Sequence, residues 1–133
     1  DLEREIAVLP EAPVLIGHSM GGLLAQMLAA RTKIRAIALY APSAPWGVLP
    51  STPWEVAAAQ SLYMAGQFWN RPLKPKQWIA ATHALDMLPE KQREEVFSRF
   101  VPESGLATFE IMHWGMDIRR ASSVDAKMME CPV

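Results

Sequence analysis

The sequence has no second cysteine. Cys131 stands alone among 133 residues, which excludes an internal disulfide framework. An excess of charge of one sign is also missing. Thirteen Lys and Arg face fourteen Asp and Glu, and no basic stripe runs along the chain. Neither nucleic acid nor an anionic membrane surface is expected as a partner. No apolar run approaches the roughly 18 residues needed to span a bilayer. Internal repeats and low-complexity tracts are absent too. The chain begins at Asp1 without a signal-like segment and ends at Met129-Glu130-Cys131-Pro132-Val133, where an apolar strand is just starting. Ends of this kind are expected of an internal piece of a longer, cytoplasmic protein. What is present suits a globular domain, with half the residues hydrophobic and a fifth charged.

One stretch organises the rest. The apolar run Pro13-Val14-Leu15-Ile16 leads into Gly17-His18-Ser19-Met20-Gly21-Gly22, and Leu23 to Ala30 follows with a helical pattern. Strand, tight turn and helix in that order, with Gly17-x-Ser19-x-Gly21 at the turn, is the pattern of a nucleophile elbow. Such a turn holds its central residue at positive φ, so the Ser19 hydroxyl stands clear of the sheet edge. Small residues are expected two positions either side, and Gly17 and Gly21 supply them. Gly22 is expected to let the helix pack closely on the strand. The helix N-terminus below Ser19 favours developing negative charge.

The remaining chain follows from periodicity. Leu2, Ile6 and Leu9 are spaced as on an amphipathic helix that Pro10 and Pro13 end. Val14–Ile16 reads as a strand of the continuous apolar kind buried on both faces of a parallel sheet. Met20–Arg31 is the elbow helix and Ile34–Tyr40 a second strand, so the unit is a parallel crossover. Residues 41–53 are proline-rich and irregular. Only helical patterns follow: Pro53–Phe68 behind a Ser51 or Thr52 cap, Pro75–Leu88, Pro89–Phe100, and Gly105–Trp114 behind a Ser104 cap, with a short extra turn at Met116–Ala121.

This order resembles the α/β-hydrolase superfamily, most specifically over residues 1–46. There Gly17-His18-Ser19-Met20-Gly21-Gly22 matches the serine form of the elbow. The resemblance implies an α/β fold class: a fragment of the three-layer α/β-hydrolase fold, with two parallel strands and the elbow helix, plus a helical cap. Residues 1–50 would be the core piece, 51–123 the cap, and 124–133 the return to the core and the start of the next strand. It implies Ser19 as nucleophile and the Met20 backbone N–H as one oxyanion donor. The second donor would precede Asp1, and the catalytic acid and base would follow Val133. Ligands bind at the carboxyl ends of strands in such sheets, which makes Ser43, Pro45 and Trp46 the candidate substrate-binding residues. The implied activity is hydrolysis of an ester or related acyl bond of a fairly apolar small molecule, with no cofactor and no metal. A same-fold acyltransferase, C–C hydrolase or perhydrolase would use the same serine. A non-catalytic binding module is the reading from another class. The oligomeric state is left open.

Completion of a triad inside the chain is not expected. His18 is adjacent to Ser19 on the elbow, so its side chain points away and packs beside the strand. His83 reads as a cap-helix surface residue and His113 as a satisfied, partly buried histidine. Asp117 shares a helical face with His113, but no third metal ligand accompanies them. Residues 41–53 hold no carboxylate. Glu55 suits a helix first turn, Asp86 a helix surface and Asp125 a turn. Cys131 has neither a basic neighbour nor a partner and reads as an inert thiol. Without a base Ser19 is a weak nucleophile, so the chain by itself is expected to be nearly inert. Two parallel strands with unpaired edges are expected to leave it aggregation-prone.

Overall fold

A computed structural model describes residues 1–49, 66–83 and 85–133, with the His83 side chain outside the described set. The chain divides into two compact units, Asp1–Val56 with Glu110–Val133 and Ala57–Phe109.

The first unit begins with helix α1 (Leu2–Ala7), capped by the Asp1 carboxylate, which accepts from Glu3 N–H. Strand β1 (Val14–His18), helix α2 (Met20–Ala29) and strand β2 (Ala36–Tyr40) follow. The two strands are parallel, in a register that sets Val14 against Ala36 and His18 against Tyr40. Pairing begins before the strands proper, because Arg35 N–H donates to the Pro13 carbonyl at 2.9 Å. Ala25 and Ala29 of α2 bury against Ile34 and Ile37, and Ile6, Leu15, Leu39, Met129 and Cys131 pack around them. The small alanines let the helix lie close on the sheet. Ile34 and Ile37 contribute about 1.5–3 kcal/mol each by burial, the alanines less.

Burial of β1 differs from the expectation of a strand covered on both faces. Leu15 and Gly17 face the helical side, whereas Val14 and Ile16 are 53% and 74% exposed. The reason is the layer count: α1 and α2 cover one face, and among the described residues of this unit no element covers the other. The fold class is α/β: a parallel strand pair with one helical layer. On the far side of β2, Ile37 N–H donates to the Pro132 carbonyl at 3.0 Å, so the chain's last residues run beside β2.

The second unit is mostly helical: α3 (Gln77–His83), α4 (Glu90–Ser98) and most of α5 (Gly105–Met112), with a 3-10 turn at Phe68–Asn70. The helix expected over Pro53–Phe68 lies outside the described residues up to residue 65. Residues 66–68 hold a bend, with Gly66 at φ 75, and the start of the 3-10 turn. The helices expected over Pro75–Leu88 and Gly105–Trp114 are shorter than their patterns, ending at His83 and Met112. Ser104 caps α5, its hydroxyl accepting from Ala107 N–H at 3.2 Å.

A two-residue antiparallel pair, β3 (Pro72–Leu73) with β4 (Glu103–Ser104), departs from the all-helical expectation. Two residues per strand are too few for alternation to register in a sequence. Phe68 is fully buried and packs with Trp69 and Phe109, with ring centroids 5.3–6.1 Å apart. Gly105 makes this approach possible. A Cβ there would run into the backbone carbonyl oxygens of Phe68 and Arg71, neither of which can swing aside as a side chain would. Gly105→Ala is therefore expected to cost about 3 kcal/mol. The check is the melting temperature of the variant, and an unchanged value would contradict the packing described.

Candidate active site

Ser19 sits between β1 and α2 at φ 52, ψ −123, a conformation that L-residues rarely adopt. Serine is among the best helix N-caps, because its hydroxyl normally folds back onto the first-turn N–H groups. Here Ser19 holds the N-cap position and makes no side-chain cap bond. Its backbone carbonyl takes over that task, accepting from Gly22 N–H at 2.9 Å, Leu23 N–H at 3.3 Å and Ser43 N–H at 2.9 Å. Its own N–H donates to the Tyr40 carbonyl at 3.1 Å. Four backbone bonds thus hold the peptide on both sides of a strained residue, and the exposed hydroxyl has no protein partner among the described residues. Met20 and Gly21 are the first residues of α2, so their N–H groups lack intrahelical acceptors. Neither donates a hydrogen bond to another described residue.

The glycines do not share one role. A Cβ on Gly17 would strike the Gly21 carbonyl oxygen and come within 2.6 Å of Gly22 Cα. A Cβ on Gly22 would lie 2.6 Å from Pro42 Cβ, so this glycine makes room for the loop after β2 more than for the strand itself. A Cβ on Gly21 would meet nothing within 4 Å. The expected demand for a small residue at 21 is therefore not seen; it falls on Gly17 and Gly22. The first turn of α2 directs the Gly21 side-chain position away from the strand and sets its carbonyl under Gly17.

The loop after β2 is tied to a second segment of the same unit. Trp46 N–H donates to the Ser122 carbonyl at 3.1 Å, and Trp46 Nε1–H to the Asp117 carbonyl at 3.2 Å. The Trp46 and Trp114 rings meet edge-on, with centroids 5.4 Å apart. Ser43, Pro45 and Trp46 are each half-buried, and Ser43 reaches Ser19 through the backbone bond given above.

The model of the alpha/beta hydrolase family matches residues 1–124. The chain belongs to the alpha/beta hydrolase family. No curated protein and no solved structure matched the sequence significantly.

In this hydrolase-family chain the other titratable candidates do not converge on Ser19. His18 is exposed, without a hydrogen bond to another described residue, and not packed beside the strand as its pattern suggested. It follows Gly17, which faces α2, so it lies on the open face of β1. His113 is half-buried at the end of α5. The Asp117 carboxylate is taken up by backbone N–H groups, Arg119 at 2.9 Å and Ala121 at 2.6 Å, and is not directed at His113. Among the described residues no group of three or more His, Cys, Asp or Glu could hold a metal ion. Asp125 caps a 3-10 turn by accepting from Lys127 N–H. Asp86 is exposed, and Cys131 is half-buried against the core. Glu55 and the His83 side chain lie outside the described residues.

The family chain also has an open groove of about 590 Å³, lined by Glu3, Ile6, Leu9, Glu11, Lys33 and Arg35. These residues precede β1 and β2, so the groove lies at the amino ends of the strands, away from Ser19. No helix among the described residues is long and apolar enough to cross a membrane.

Sequence reasoning missed Arg120. Its guanidinium carbon lies 4.3 Å from the Trp46 ring centroid. Local pattern carries no signal for a contact between residues so far apart in the chain. The Asx-type turn that presents it, Asp117-Ile118-Arg119-Arg120-Ala121, was legible as a turn only.

Proposed function

We propose that the protein is a serine hydrolase that cleaves an ester or related acyl bond of a small, fairly apolar molecule through a Ser19 acyl-enzyme. The observation that carries this reading is Ser19 itself, held at φ 52 with an exposed hydroxyl beside the Met20 N–H, neither of them paired among the described residues. Strain of this kind costs on the order of 1–3 kcal/mol, and an ordinary strand-to-helix turn has no use for it.

In this mechanism the Ser19 oxygen attacks the substrate carbonyl carbon and its proton passes to a histidine. That histidine and the acid orienting it come from outside the described residues, in keeping with the family resemblance that puts them after Val133. Charge collects on the former carbonyl oxygen, where the Met20 N–H and the N-terminal end of α2 stabilise it. Collapse expels the alcohol, which takes the proton back, and water then releases the acid by the same steps in reverse order of roles. Gly17 and Gly22 keep the turn tight enough for this, and Gly21 serves as a helix residue. Ser43, Pro45 and Trp46 form part of the substrate wall. Residues 51–123 serve as the helical cap. Residues 124–133 return to the core as the start of the next strand, a reading supported by the Ile37–Pro132 hydrogen bond.

The full-length native protein, which supplies the histidine and the acid, is expected to turn over p-nitrophenyl esters from acetate to octanoate, with a preference for the longer acyl chains. Rates indistinguishable from buffer across that series would contradict the reading.

A further inference from the structure

The Arg120 side chain is exposed, with its guanidinium held over an aromatic ring. The guanidinium's central carbon lies 4.3 Å from the centroid of the Trp46 ring. Arg120 forms no ion pair among the described residues, and the nearby Asp117 carboxylate is occupied by the N–H groups of Arg119 and Ala121. A guanidinium over an aromatic ring carries five N–H donors on a planar fork, and those directed away from the ring can make two parallel hydrogen bonds to a carboxylate.

The backbone is shaped to hold the group there. Arg120 adopts φ 53, a left-handed conformation that disfavours a long side chain, and its N–H donates to the Asp117 carbonyl at 3.2 Å. That same carbonyl accepts from Trp46 Nε1–H, so one oxygen fixes both members of the stack. The stack is also near the nucleophile. Ser43 N–H bonds the Ser19 carbonyl at 2.9 Å, and Trp46 is three residues further on. Three extended residues span at most about 10 Å, so the cation stands at the same end of the sheet as the serine.

We propose that Arg120, stacked on Trp46, binds a carboxylate of the acyl substrate. The site then takes acyl groups that carry a negative charge several carbons from the scissile carbonyl, such as half-esters of medium-length dicarboxylic acids. This rests on Ser19 being the nucleophile. The cation supplies binding energy remote from the reacting carbonyl, and its loss falls on anionic substrates alone.

The test compares the p-nitrophenyl monoesters of adipic and suberic acid with neutral hexanoate and octanoate esters, using the native protein. Arg120→Gln is expected to raise KM for the anionic esters at least tenfold and to leave the neutral ones within about twofold, with partial recovery in Arg120→Lys. Arg120→Gly, which relieves the left-handed strain, is expected to show the same selective loss without a lower melting temperature. Parallel changes for both ester classes would reduce Arg120 to a loop clamp and overturn the proposal, as would no change in either class. Calorimetric titration of free adipate into native and Arg120→Gln protein separates this proposal from the hydrolase reading. If no ester is hydrolysed, adipate binding that Arg120→Gln abolishes still supports the anion site. Absent binding, or binding that the substitution leaves unchanged, overturns it.

Discussion

Replacing Ser19 by alanine is expected to lower ester turnover by about four to six orders of magnitude, the loss seen when the nucleophile of an acyl-transfer triad is removed. The size follows from the chemistry. Without the hydroxyl no acyl-enzyme forms, and what remains is the charge stabilisation offered by Met20 N–H and the helix end. The structure makes this substitution unusually easy to interpret. In most helices a Ser→Ala change at the N-cap costs about 1 kcal/mol because a capping bond is lost. Ser19 makes no such bond; the Ser19 carbonyl binds Gly22, Leu23 and Ser43. Alanine retains that carbonyl. The melting temperature should therefore stay close to that of the native protein while activity disappears. A large drop in melting temperature would contradict the geometry, and residual activity within a factor of ten of native would contradict the mechanism.

The second large effect concerns stability and separates glycines that the motif treats alike. Gly17→Ala places a methyl group against the Gly21 carbonyl oxygen and 2.6 Å from Gly22 Cα. Those are backbone atoms of the first turn of α2, so relief requires the helix to move off the strand. The cost is expected to be about 3 kcal/mol, and the displaced elbow should lose most of its activity as well. Gly21→Ala adds a methyl group into open space within a helix. It is expected to be neutral or to stabilise by roughly 0.5–1 kcal/mol, because alanine is the better helix former. Chemical denaturation of the two variants gives the comparison. Equal costs at both positions would show that the elbow is not packed as described.

Local features of the fold were readable because they repeat within a few residues. The spacing of Leu2 and Ile6, the apolar run ending at Ile16, the elbow before Leu23 and the apolar run ending at Tyr40 each located an element, with β1 two residues longer, and α2 and β2 two residues shorter, than their patterns. Features that depend on contacts distant in sequence were not readable. The β3–β4 pair joins Pro72-Leu73 to Glu103-Ser104 across a helical region and is too short to leave a period. The exposure of Val14 and Ile16 depends on which faces of the sheet are covered, which an apolar run does not encode. Gly22 was expected to serve the helix–strand contact, but the nearest atom to its missing side chain belongs to Pro42, a residue of the next loop.

The candidate site divides in the same way. Ser19 and Met20 were legible from a six-residue motif. The loop residues Ser43, Pro45 and Trp46 were legible from their place after a strand. Arg120 was not, because nothing near it in the sequence announces a stack on Trp46.

The most direct test of the central claim is covalent. A fluorophosphonate reacts with an activated serine when its oxygen displaces fluoride from phosphorus. After trypsin, Ser19 falls in the peptide Glu5–Arg31, in which it is the sole hydroxyl side chain, so an adduct there is unambiguous. The native protein is expected to show a phosphonate mass shift on that peptide, lost on prior heat denaturation and absent from Ser19→Ala. No adduct on the native peptide, or a shift that persists in Ser19→Ala, would contradict Ser19 as the nucleophile.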